Sequence, residues 1–225
     1  MKSKRIIMSL LGVVITAISI GAFKFAEFGV DPFQSFMSGM DTLIPIDFGT
    51  LYVIINTVLI LFSFLFDRHF IGIATLMNLF LLGYVADFAL GLLISLIPEP
   101  TCFVRVAFFL FGFLFLCLGS SLYMSADLGV STYDAIALIF TNKWRQGKFK
   151  AMRICTDITC VGLGISTYLI SDGPANGISS FIGIGTIFTA FCMGPLTIFS
   201  TKRYRNRYFK AKETLVFQHK NTLII

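Results

Sequence analysis

Residues 23–33 read FKFAEFGVDPF and residues 123–133 read YMSADLGVSTY, an offset of 100 that keeps Phe/Tyr, Ala, Glu/Asp, Phe/Leu, Gly, Val and Phe/Tyr in register. Further along, Ile71-Gly72-Ile73-Ala74-Thr75 with Phe80 and Gly83 recurs as Ile182-Gly183-Ile184-Gly185-Thr186 with Phe191 and Gly194, an offset of 111. Asn56 and Asp157 correspond at an offset of 101. Offsets that grow slowly while the order holds indicate a duplication with loop insertions.

The duplicated halves are strongly apolar: 56% of the 225 residues are hydrophobic, 26 are Phe and 13% are charged, where a water-soluble domain carries about a quarter charged residues. A hydrocarbon layer about 30 Å thick needs roughly 20 apolar residues per helix. Long runs without sustained alternation favour helices over barrel strands. The expected fold is all-α and polytopic, with spans near 6–28, 49–66, 70–97, 104–126, 150–170 and 178–200. Residues 1–103 form a first three-span repeat, 104–200 a second, and 201–225 a basic tail. Three is odd, so the second copy crosses in the opposite sense, an inverted-topology repeat. Folds of that kind place a binding site near the midplane, built from interrupted helices.

Of the 18 Lys and Arg, 15 precede the first span (Lys2, Lys4, Arg5), lie between spans four and five (Lys143, Arg145, Lys148, Lys150, Arg153) or follow span six. Six spans put all three segments on one face, which the positive-inside rule makes cytoplasmic. Asp31, Asp41, Asp47, Glu99 and Asp172 fall on the other. Both termini are therefore expected on the cytoplasmic side. The start of the chain also has the form of a signal peptide, but its counterpart in the second copy argues for a retained span.

The first span breaks at Gly29-Val30-Asp31-Pro32, where Gly permits a turn and Pro cannot continue a helix. A short helix follows, with Asp31 as N-cap, Pro32 at its first position and Gln34 three residues on. Ser131 and Asp134 form a similar, shorter pair in the second copy. Two readings share this signature. A re-entrant half-helix points its N–H groups at a ligand, whereas an amphipathic helix lies in the interface.

An ionisable group in a span costs roughly 2.5–3.5 kcal/mol at the bilayer centre, so Asp157 and its counterpart Asn56 stand out. They pair across the pseudo-twofold axis, or Asp157 is held by Thr156, Thr159 or Lys24. Glu27 and Asp127 keep an acid beside the break in both copies; they face a shared cavity or are solvated at the interface. The candidate solute or ion site is Glu27, Gly29, Asp31, Asn56, Asp127, Gly129, Ser131, Asp134 and Asp157. Thr75 and Thr186, three residues after Gly72 and Gly183, read as helix-packing positions.

Five scattered cysteines and two isolated histidines make no metal or redox motif, and no phosphate loop or hydrolase signature occurs. No catalytic residue, metal or cofactor is expected. Basic residues flanking spans contact anionic lipid rather than nucleic acid.

Gly29-Val30-Asp31-Pro32-Phe33, Gly49-Thr50-Leu51, the Ile71-to-Thr75 stretch and Leu82-Gly83-Tyr84 together resemble the YitT/YczE group of bacterial membrane proteins, often written YczE/YyaS/YitT, over roughly residues 5–203. The resemblance implies a multi-span inner-membrane protein and carries over no functional residue, since the group lacks a settled molecular activity. The function expected is a small secondary permease for an unidentified solute, alone or as a homodimer. The alternative is a non-transporting scaffold or accessory protein of a partner complex.

Overall fold

The computed structural model describes residues 2–46, 48–142, 149–171, 182–193 and 196–197. The elements among them are helical: α1 (Lys2–Ala26), α2 (Pro32–Leu43), α3 (Phe48–Phe66), a 3-10 turn (Arg68–Phe70), α4 (Ile73–Leu96), α5 (Cys102–Ala126), α6 (Thr132–Asn142) and α7 (Phe149–Ile170), followed by α8 (Ile184–Met193). Asp47, the basic residues at 143–148, Asp172 and the tail at 201–225 lie outside the described residues.

Four helices, Ser3–Ala26, Ile73–Leu96, Cys102–Ala126 and Ala151–Ile170, are long and apolar enough to cross a membrane. The stretches expected as spans near 49–66 and 178–200 contain shorter apolar helices, Thr50–Phe66 and Ile184–Met193. Residues 172–181, before the second of these, are not described. The surface matches a hydrocarbon solvent. Leu65, Phe88 and Phe103 are 70%, 72% and 82% exposed, while Ser9, Ser19, Ser35 and Ser121 are fully buried. Apolar groups outside and hydroxyls inside invert the arrangement found in water.

The centre of the fold is the contact between α1 and α5. Buried positions 9, 12, 16, 19 and 23 on α1 and 109, 112, 116, 119 and 123 on α5 repeat at steps of three and four, the spacing of a helix–helix seam. Small residues let the backbones meet. A methyl group on Gly12 would lie 2.8 Å from the Gly119 carbonyl oxygen, and one on Gly112 would lie 3.0 Å from that of Ser19. The hydroxyls of Thr16 and Ser19 donate to the carbonyls of Gly12 (2.9 Å) and Ile15 (2.7 Å), so the polar seam leaves these donors satisfied. At one end Arg5 pairs with Asp127 at 2.6 Å, and at the other Arg105 pairs with Glu27. The start of each helix thus meets the end of the other, which makes the pair antiparallel.

Both helices end in the same way. Glu27 and Asp127 take left-handed φ values of 56° and 53°, and Gly29 and Gly129 follow at 99° and 103°. Each break then locks onto the start of a helix from the other half. The N–H of Ala74 donates to the Leu128 carbonyl (3.0 Å) and that of Val130 to the Phe70 carbonyl (3.0 Å), while the Gly185 N–H donates to the Phe28 carbonyl (2.9 Å). The Thr75 hydroxyl accepts from the Gly72 N–H at 3.1 Å and donates to the Val130 carbonyl at 2.7 Å. Thr186 accepts from the Gly183 N–H at 3.3 Å. The expectation that these Gly and Thr residues bring helix against helix is corrected in one respect. The partner of each glycine is a loop backbone, and Thr75 and Thr186 cap the start of their own helices.

Gly129 combines a positive φ with no room for a side chain, since a methyl group there would lie 2.6 Å from the Gly72 nitrogen. Gly129→Ala is expected to destabilise the protein by at least about 2 kcal/mol. Gly83→Ala on α4, where nothing lies within 4 Å, is expected to be neutral or to stabilise by about 0.5–1 kcal/mol. Thermal unfolding of the two variants in detergent compares them directly.

Candidate functional site

The breaks aim α2 and α6 at the interior. The Asp31 carboxylate accepts from the Gln34 N–H (3.4 Å), and Pro32 occupies the first turn, where its missing N–H costs nothing. The Ser131 hydroxyl accepts from the Asp134 N–H (3.0 Å) and donates to its carboxylate (2.7 Å). Gln34 and Ser35 are buried at 4% and 0% exposure, so the start of α2 is enclosed by protein. The two helices meet where Phe33 stacks on Tyr133, with ring centroids 5.0 Å apart and planes 24° apart.

A polar cavity of about 50 Å³ lies at this meeting point, lined in part by Asp31, Gln34, Asn56, Ser131, Asp134 and Arg153. The Phe33–Tyr133 pair separates it from an apolar groove of about 430 Å³ between α2, α3, α6 and α7. The larger space has almost no polar lining, so any recognition of a charged group falls to the smaller one.

Arg153 organises the cavity wall. It is 4% exposed. Its guanidinium pairs with Asp134, approaches Asp157 at 3.3 Å and lies 4.4 Å above the Tyr133 ring. Tyr123 donates to Asp134, and Tyr133 donates to Asp157 at 2.6 Å. Asn56 donates to the Tyr52 carbonyl (2.8 Å) and accepts from Thr132.

Of the residues singled out in the sequence, Asp31, Asn56, Ser131 and Asp134 line the cavity, and Asp157 stands behind it through Arg153 and Tyr133. Glu27 and Asp127 lie elsewhere, more than half exposed and paired with Arg105 and Arg5, because the left-handed turn throws their side chains outward at opposite ends of the seam. Gly29 and Gly129 act on the same turns and approach Gly183 and Gly72 rather than the cavity. The partners suggested for Asp157 are corrected. Thr156 and Thr159 donate to backbone carbonyls instead. Lys24 pairs with Asp87 at 3.3 Å, and Asn56 bonds Thr132.

Arg153, read from the sequence as one of the basic residues between spans four and five, is interior. α7 already begins at Phe149, so Arg153 is a turn inside the helix. Its spacing of four from Asp157 was the available signal. Among the described residues, no group of three or more His, Cys, Asp or Glu side chains is placed to hold a metal ion.

Removing one member of a buried ion pair typically costs about 3–5 kcal/mol, because the other charge is stranded. Arg153→Met is expected to lose stability on that scale. Arg153→Met combined with Asp134→Asn is expected to lose less than Arg153→Met alone, as read by thermal unfolding in detergent.

Comparison with known proteins agrees with a membrane location. The chain is 26% identical over 193 residues to the uncharacterized membrane protein YczE of Bacillus subtilis (strain 168), covering 84% of this chain and 81% of that protein. No solved structure matches. A family of unknown function, DUF6198, matches residues 3–202. A membrane protein of several apolar helices, similar to YczE across most of its length, this chain belongs to the DUF6198 family.

Proposed function

We propose that the protein is a small secondary transporter of the bacterial plasma membrane, made of two three-span repeats of opposite orientation with both termini cytoplasmic. The observation that carries this reading is the convergence of the α2 and α6 starts on one buried polar cavity. A half-helix that begins inside a membrane must have its free N–H groups satisfied by protein, water or a ligand. The reciprocal contacts support the inversion. Arg5–Asp127 and Arg105–Glu27 exchange under an offset of 100, and each break docks on the other half.

In this reading the two halves rock about the α1–α5 seam and expose the cavity to each side in turn. The basic residues at the start of α1, before α7 and after residue 201 favour the cytoplasmic face and contact anionic lipid. The motifs at residues 29–33 and 82–84 support extending the kinship to the YitT proteins. No catalytic step belongs to the reading, and a homodimer is compatible with it. The small volume of the polar cavity favours the second reading, a scaffold that assists a partner complex without transporting.

Ser120 lines the cavity and is 1% exposed, so its accessibility separates the two. In a chain whose five native cysteines are replaced, Ser120→Cys is treated with an impermeant maleimide in right-side-out and in inverted vesicles. A transporter that visits minor open states is labelled from both sides, about 10- to 1,000-fold more slowly than an exposed cysteine. A scaffold is labelled from neither.

A further inference from the structure

The charge around the cavity does not balance. Asp31, Asp134 and Asp157 are all buried, and Arg153 is the one cation that the described residues bring among them. Three carboxylates against one guanidinium leave two negative charges. The two helix starts, each worth about half a positive charge, offset about one of these. An anion has little to gain here, because the helix starts are already capped by Asp31 and Ser131. An uncompensated negative charge in a dry interior is costly.

A second observation points to an occupant. The Ser120 hydroxyl, on the cavity wall, is buried with no hydrogen-bond partner. Asp31, Gln34, Tyr52 and Asn78 add oxygen-bearing side chains to the same wall. A cavity of about 50 Å³ has room for one small ion or a few waters, and oxygen groups suit a hard cation. Of the two carboxylates that line the cavity, Asp31 and Asp134, the second is already paired with Arg153, which leaves one acid for a single charge.

We infer that the cavity binds one monovalent cation, a proton or an alkali metal ion, on Asp31 and its neighbouring oxygens, and that this is the coupling ion of the transporter. Binding itself does not need the transport reading; only the coupling role rests on it. The charged and titratable groups around Asp31 are Tyr52 from α3, Tyr123 from α5, Tyr133 and Asp134 from α6, and Arg153, Asp157 and Cys160 from α7. From α1 and α4 the wall receives Thr16, Ile20, Asn78 and Leu82, which do not titrate.

The test is the unfolding midpoint of the purified full chain in detergent, from pH 5 to 9, in sodium, potassium or N-methylglucamine chloride at constant ionic strength. If an alkali ion is bound, sodium or potassium raises the wild-type midpoint by about 5 °C or more at saturation, and N-methylglucamine does not. If a proton is bound, the midpoint is independent of the salt cation and falls as rising pH strips the proton.

Asp31→Ser keeps a helix cap of the kind seen at Ser131 and removes one negative charge; Asp31→Asn does the same with the side-chain shape retained. In both, the dependence seen in the wild type is lost. The proposal is overturned if wild-type midpoints are flat in both arms, whatever the variants do, or if the variant curves run parallel to the wild type. A protein that binds the cation here yet is not labelled at position 120 keeps the site and loses the transport reading, so the two claims fail separately.

Discussion

Two backbones touch at Gly12 and Gly119 because neither carries a side chain there, and the rest of the molecule is arranged around that contact. In hydrocarbon there is little hydrophobic force to press helices together, so close packing of small residues has to supply the attraction. The seam runs the length of α1 and α5 and is closed at each end by an arginine on a carboxylate. Antiparallel docking puts the two chain breaks at opposite ends of the pair. Each break then reaches the start of α4 or α8 in the other half, and the short helix after it turns back toward the middle.

The centre is held by electrostatics of a different kind. Arg153 joins Asp134 of α6 to Asp157 of its own helix, while Tyr123 and Tyr133 hold the carboxylates from two further directions. Such a network is a poor source of stability compared with packed apolar side chains. In the proposed reading, its presence where α2 and α6 meet serves binding. The same argument separates Glu27 and Asp127, whose exposed pairs contribute little energy and serve to fix the ends of the seam.

Much of this was legible in the sequence, for reasons that can be named. Gly29 and Gly129 marked the breaks because few other residues accept their backbone angles, and Asp31-Pro32 marked a helix start because proline fits only there. Asp31, Asn56, Ser131 and Asp134 were legible as site candidates through their repeat positions and the cost of burial. Arg153 was not, since a lone arginine near a basic loop looks like an orientation signal, and only the tertiary fold decides that it turns inward. The sequence left Glu27 and Asp127 with two readings, cavity or solvated interface, and exposure favours the second; spacing places a residue at a break but does not say which way a left-handed turn aims its side chain. The α1–α5 seam at positions 9, 12, 16, 19 and 23 and their counterparts was not legible, because its small residues are masked by the apolar residues that surround them.

The central claim is that the two halves cross the membrane in opposite senses, and sidedness tests it most directly. Pro45→Cys and Arg145→Cys, sequence counterparts at the offset of 100, are made in separate chains otherwise free of cysteine. An impermeant thiol reagent applied to intact cells, and then to inverted vesicles, reports which face each one occupies. The account predicts that position 45 reacts from outside the cell and position 145 only from the cytoplasmic side. Reaction of both from the same side would contradict it.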